Sequence, residues 1–130
     1  MSFKILILDD EVALSESMSE LLLLRYESKV SVDRAFNIAD FEDFVKINRY
    51  DAIVADFNLP DGVGYKSMVK MLDICPWISD CLIIFISGIP YVDLDPDFKN
   101  AQGLFKNAFV RNKPLHSHLL YEMIDKEMER

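Results

Sequence analysis

The sequence predicts an α/β domain, a parallel five-stranded sheet with helices on both faces, and three observations carry that prediction. Short, nearly unbroken apolar runs recur along the chain, as in FKILIL at Phe3 to Leu8, AIVA at Ala52 to Ala55 and CLIIFIS from Cys81 to Ser87. Runs of this length without strict alternation suit strands covered on both faces. Stretches of helical period lie between them, so strand and helix alternate five times, the pattern of a parallel sheet with crossover helices. The same runs stop abruptly at polar side chains, Asp9 and Asp10 after the first, Asp56 after the second and Ser87 after the third.

With 130 residues the chain fits one domain, spanning 1–130, large enough to bury a core without staples. A formal charge of −8 argues against nucleic acid or an anionic membrane as a direct partner. No uncharged apolar stretch of about 18 residues occurs, and the N-terminus lacks the order of a signal peptide, so a cytoplasmic location is expected. Cys75 and Cys81 have no His or further Cys at ligand spacing and read as buried free thiols.

After the first strand, Glu11 to about Tyr26 reads as a helix with Val12, Leu14, Met18, Leu21, Leu22 and Arg25 along one stripe. Acids in its first turn suit the positive end of the helix dipole. Lys29 to Ala35 alternates Val30 and Val32 with polar neighbours, as an outer strand does. Asn37 is a candidate N-cap for a helix from Ile38 to Ile47 with Ile38, Phe41, Phe44 and Val45 inward. The Asp56 strand follows and breaks into Asn58, Pro60, Asp61, Gly62 and Gly64, a turn signal that leaves Asp56 at the mouth of a loop. Tyr65 to Ile74 gives a third helix, with Met68, Met71 and Leu72 on one side, and Pro76 ends it. Beyond Ser87 and Gly88 the pattern weakens, with a short fourth helix expected near Asp97 to Phe105. Ala108 to Arg111 forms a fifth strand before Asn112, Lys113 and Pro114, and Leu115 to Glu129 a last helix with Leu119, Leu120 and Met123 inside.

For five such units the flavodoxin-like (βα)5 arrangement, strand order 2-1-3-4-5, is the common solution, and sites form where strands 1 and 3 lie side by side. That order gathers Asp9, Asp10 and Asp56 at one edge of the sheet, with Ser87 and Lys113 arriving from strands 4 and 5. Clustered carboxylates repel one another, and a divalent cation relieves this; an all-oxygen donor set favours Mg2+ over zinc. Lys113 and Ser87 could bind a transferred phosphoryl group, as could the amides after Asp56 and Ser87. Plainer roles also fit these residues: Asp9 and Asp10 as helix caps, Asp56 as a turn cap, Lys113 as an ordinary ion pair to Asp56.

LDDE with Asp9 and Asp10, the loop DFNLPDGVG with Asp56, Pro60 and Gly64, FISG with Ser87, and KP at Lys113 and Pro114 occur in that order. Together they resemble the response-regulator receiver domains of two-component signalling, from about Phe3 to the last helix. The resemblance implies that Asp56 is the phosphoacceptor, loaded by a histidine kinase or a phosphotransfer protein. It implies Mg2+ held by Asp10, Asp56 and the backbone carbonyl of Asn58, with Asp9 acting through water. Ser87 and Lys113, helped by Asn58 and Gly88, would bind the phosphoryl group. Such a protein is a switch and not an enzyme of general substrates. Its output is a shift between two conformations, read by a downstream protein target or a second copy on the fourth helix, fifth strand and fifth helix.

Two departures from that pattern stand out. The interval from Ser87 to Lys113 is long, and the switch aromatic usual three residues before the lysine is replaced by Val110, with Phe109 one position earlier. Either a bulge returns Phe109 to the switch place or the relay is altered. Ile89, two after Ser87, is expected to shield a phosphoryl group and slow its loss to water. Tyr91, Val92, Leu94, Phe98, Leu104 and Phe105 make the same region dense in apolar side chains, some of which could form a docking surface. Two competing readings are an Mg2+-dependent aspartyl phosphatase, which normally needs an acid where Asn58 stands, and a receiver-like scaffold that is never phosphorylated.

Overall fold

The structure, a computed structural model, describes residues 2–89 and 95–130. Tyr91, Val92 and Leu94 of the expected apolar surface lie outside the described residues. The chain runs β1 (Phe3–Leu8), α1 (Val12–Tyr26), β2 (Val30–Ala35), α2 (Ile38–Ile47), β3 (Ala52–Asp56), β4 (Asn58–Leu59), β5 (Gly62–Val63), α3 (Gly64–Met71), β6 (Leu82–Ser87), α4 (Pro96–Gln102), β7 (Ala108–Asn112) and α5 (Ser117–Met128). Five strands form one parallel sheet in the order β2-β1-β3-β6-β7, which is the predicted flavodoxin-like order once the small antiparallel β4-β5 hairpin is set aside. Among the described residues no helix is long and apolar enough to cross a membrane.

Because successive strand residues point to opposite faces, the sheet divides its apolar side chains between two cores. Ile5, Ile7, Val54 and Ile84 pack beneath α1 and α5 with Leu22, Tyr26, Leu120 and Ile124. Leu6, Leu8, Ile53, Ile83 and Phe85 pack beneath α2, α3 and α4 with Phe41, Val45, Met68, Met71 and Phe98. β3 is buried at every residue, as its unbroken apolar run predicts. Cys75 and Cys81 are buried free thiols.

Asn37 caps α2, its side chain accepting from the Asp40 amide at 2.7 Å. For α1 the predicted stripe is corrected. Ser15, Ser19, Leu22 and Tyr26 face inward, while Val12, Leu14 and Leu21 are 56%, 42% and 42% exposed. Four successive leucines, Leu21 to Leu24, cover every azimuth of the helix, so periodicity cannot choose a face there. Small serines let the helix lie close to the sheet, and the Ser15 hydroxyl accepts from Arg34 Nε at 3.0 Å. In α5 the buried residues are Leu120 and Ile124, with Met123 only partly covered. The expected fourth helix ends earlier, at Gln102; Phe98 and Phe105 are core, and Leu104 is 51% exposed.

Candidate functional site

β1, β3 and β6 all end on the same edge of the sheet, and the chain leaving each end supplies a polar side chain. Asp9 follows β1, its amide bonded to the Ala35 carbonyl at 3.0 Å. Asp56 closes β3 opposite Ile86, and the next amide, Phe57 N, donates to Ile86 O at 2.9 Å. Lys113 follows β7, held by its own amide on Ser87 O at 2.8 Å. These ladder bonds fix the backbone, so the side chains converge. Lys113 Nζ lies 2.9 Å from Asp56 Oδ2 and 3.2 Å from Glu11 Oε1. Carboxylate oxygens of Asp9, Glu11 and Asp56 all lie within 4.8 Å of one another. Gly64 is required at the base of the loop, since a β-carbon there would fall 2.6 Å from the Asp56 carbonyl oxygen.

Asp9 is 3% exposed and Asp56 6%. Burial raises the Asp9 pKa above its ordinary 3.8, and the Asp56 charge pushes the same way against the Glu11 amide and Lys113. Burial opposes charge on Lys113, but the hydrogen bonds to Asp56 and Glu11, with the charges of Asp56 and Asp9, together outweigh it and raise its pKa. A carboxylate whose folded pKa is raised favours the fold fully below its ordinary 3.8 and loses that contribution as pH climbs through the raised value. Ionised Asp9 therefore costs stability at neutral pH. Asp9→Asn is expected to raise the urea midpoint of metal-free protein at neutral pH by the equivalent of about 1 kcal/mol, with the gain shrinking as pH falls; an unchanged midpoint would contradict the electrostatic cost.

The donor set fits a hard divalent cation. It consists of oxygen ligands with more negative than positive charge, and among the described residues no thiol or imidazole belongs to the acidic group. Glu11 is a member that the strand-end pattern of the sequence does not single out. Its signal is a second acid two residues beyond Asp9, on the same turn, whose amide donates to Asp9 Oδ1 at 2.9 Å. Asp10, expected as a direct ligand, is exposed and stands outside the group of three. Asn58 is exposed, with its amide 3.4 Å from Asp56 Oδ1.

Ser87 is fully buried, and its hydroxyl both accepts from Ile89 N at 3.0 Å and donates to Ile89 O at 3.2 Å. It is turned into its own loop rather than toward Asp56. Gly88 lies against the Lys113 stem, a β-carbon there meeting Cδ at 3.9 Å. Ile89 is 50% exposed. β7 pairs with β6 residue by residue from Ala108 to Asn112, with no bulge. Val110 thus keeps the place three before Lys113 and packs toward α4, while Phe109 points to the other face, 37% exposed beside Arg111. Directly behind the site an aromatic cluster forms. The Phe57 ring lies 5.2 Å from Tyr65 and 5.1 Å from Phe98, and Phe85 lies 5.5 Å from Phe98.

Beside the acids a cleft of 340 Å³ is bounded by Glu11, Leu14, Met18, Lys113, Pro114 and Leu115. It is mostly apolar and opens onto the Lys113 side of the site.

No family model matches the sequence, and no curated protein does. Solved structures do. A two-component response regulator from Clostridium difficile superposes with a TM-score of 0.81 at 23% identity, covering 99% of this chain and 98% of its own. A CheY-like receiver domain from Methylobacillus flagellatus gives 0.77 at 27% identity, covering 98% of this chain and 99% of its own. The BeF3-activated DrrB receiver domain gives 0.76 at 20% identity over the whole of both chains. With its β2-β1-β3-β6-β7 sheet and receiver-domain neighbours matching along its whole length, the chain has the fold of a response-regulator receiver domain.

Proposed function

We propose that the protein is a phosphorelay receiver whose Asp56 accepts a phosphoryl group from the phosphohistidine of a kinase or phosphotransfer protein. The observation that carries this is the meeting of Asp56 with Lys113 at 2.9 Å inside a group of carboxylates drawn from separate parts of the chain. Asp56 supplies an oxygen nucleophile. As its O–P bond forms, the N–P bond of the donor breaks and the electron pair returns to the imidazole nitrogen. Lys113 is placed to offset charge on the phosphoryl oxygens, and the Ser87 hydroxyl becomes a second donor once it leaves Ile89. Asp9, Glu11 and Asp56, together with Asp10 and the Asn58 carbonyl, are the candidates to hold Mg2+, which when bound would supply positive charge against the carboxylates and the phosphoryl oxygens. Activation of the DrrB neighbour by BeF3, a phosphoryl mimic, supports the same use of this fold.

The apolar cleft beside Lys113 favours a protein donor that lays down a nonpolar surface. On the output side, α4, β7 and α5 would meet a downstream target or a second copy, with Phe109 as an exposed anchor. Incubation with acetyl phosphate and Mg2+ followed by intact mass measurement tests the proposal. One phosphate adduct is expected on the unaltered chain and none on Asp56→Asn. An adduct on both, or on neither, would overturn it in favour of an unphosphorylated scaffold or another acceptor, and sustained turnover of a small phosphoester would favour the phosphatase. Ile89 beside Ser87 makes the adduct long-lived; decay within seconds in purified protein would contradict that shielding.

A further inference from the structure

The loop that leaves Asp56 is held at two points. At its base Gly64 N donates to Phe57 O at 3.0 Å, in the crowded spot where no β-carbon fits beside the Asp56 carbonyl. At its tip, Pro60 and Asp61 join β4 to β5, which pair Asn58 with Val63 and Leu59 with Gly62. There the Asp61 carboxylate crosses to α2, accepting from Ile38 N at 2.8 Å and Ala39 N at 3.1 Å. Gly62, at φ +151°, presses on the same turn, since a β-carbon would lie 2.8 Å from Ile38 Cδ1. These amides are among the orphan donors that every helix start leaves unpaired. Asn37, within the ordinary cap position, satisfies only the Asp40 amide.

α2 is itself a fixed post. Phe41 and Val45 are 0% and 2% exposed, and Glu42 accepts from Ser67 of α3 at 3.0 Å and pairs with Lys70 at 3.2 Å. A rigid helix therefore grips the hairpin whose first residue, Asn58, stands two residues after Asp56 with its amide 3.4 Å from Asp56 Oδ1. The geometry points to Asp61 as a positioning residue: by clamping the β4-β5 hairpin to the start of α2 it holds the Asn58 carbonyl where a cation bound by Asp56 and its neighbours can use it. Backbone donation from Ile38, countered in part by burial, keeps the Asp61 carboxyl below its usual range, so the clamp is ionised at neutral pH. This inference rests on the reading of the acidic group as a divalent-cation site.

The test uses magnesium chloride alone, titrated into the full chain and followed by amide NMR shifts, with thermal unfolding recorded on each variant. Asp61→Ala is expected to weaken Mg2+ binding by about tenfold, the scale seen when an outer partner of a metal site is removed. Asp61→Asn, which keeps one accepting oxygen, is expected to recover part of that loss. Asn37→Ala removes the other cap of the same helix without touching the hairpin. It should lower the melting temperature comparably yet leave the Mg2+ dissociation constant within about twofold. Equal weakening by Asn37→Ala and Asp61→Ala would show that helix stability alone is being read and would overturn the inference. So would an Asp61→Ala chain that binds Mg2+ like the unaltered one. No binding by the unaltered chain at millimolar Mg2+ would overturn the cation-site reading itself, and the inference with it.

Discussion

Replacing Phe98 by alanine is expected to lower the unfolding free energy by about 3–5 kcal/mol, the range for emptying a buried aromatic site. Phe98 is completely buried, with Phe57, Tyr65 and Phe85 rings 5.1, 5.3 and 5.5 Å away, so no solvent can fill the space left behind. The loss will also be local. α4 has seven residues, short of the roughly 12–15 an isolated helix needs. Its buried residues are Phe98 and Ala101, so Phe98 is the one large side chain that anchors it. Urea unfolding measures the first effect and amide hydrogen exchange across 96–102 the second. Phe98→Leu, which refills most of the volume, should cost much less. A loss below about 1 kcal/mol for alanine would mean that the cluster collapses around the gap.

Lys113→Met is the second large effect, and its size depends on magnesium. Removing the ammonium leaves Asp56 and Asp9, 6% and 3% exposed, facing Glu11 without a cation. Breaking a fully buried pair costs about 3–5 kcal/mol, but the Lys113 side chain is 24% exposed and water screens part of the charge, so a loss of about 1–2 kcal/mol at neutral pH is expected. Adding Mg2+ should recover most of this, because the incoming cation takes over the neutralisation. The Mg2+ affinity itself should rise, since the competing positive charge is gone. Urea melts with and without magnesium chloride measure both, and a variant whose melts coincide with the unaltered protein in both buffers would show that the pair contributes nothing to stability.

The sheet order and the meeting of Asp9, Asp56 and Lys113 could be read from the residues because the three central strands are compact apolar runs that stop at polar side chains, and strand and helix alternate on either side of them. Once the strands are parallel, their ends must share an edge. Glu11 is not legible as a site residue because an acid in a helix's first turn has a sufficient reason to be there. Only its position over Lys113 shows the second role. The inward face of α1 is illegible for a different reason: leucines surround the helix, and two of the four residues that pack, Ser15 and Ser19, are serines that serve closeness rather than hydrophobicity. The clamp by Asp61 lies beyond local pattern altogether, since a carboxylate in a Pro-Asp-Gly turn normally caps its own turn, and here it reaches 23 residues back along the chain.

The polar lacing between α1 and α5 has a mechanical consequence. Tyr26 donates to Asp125 at 2.7 Å, Arg25 pairs with the same carboxylate at 3.0 Å, and the Arg25 guanidinium lies 4.4 Å from the centre of the Tyr121 ring. Those two helices are tied side chain to side chain, while α4 is a seven-residue helix anchored by Phe98 and Ala101, so local opening is expected at α4 before α1 or α5.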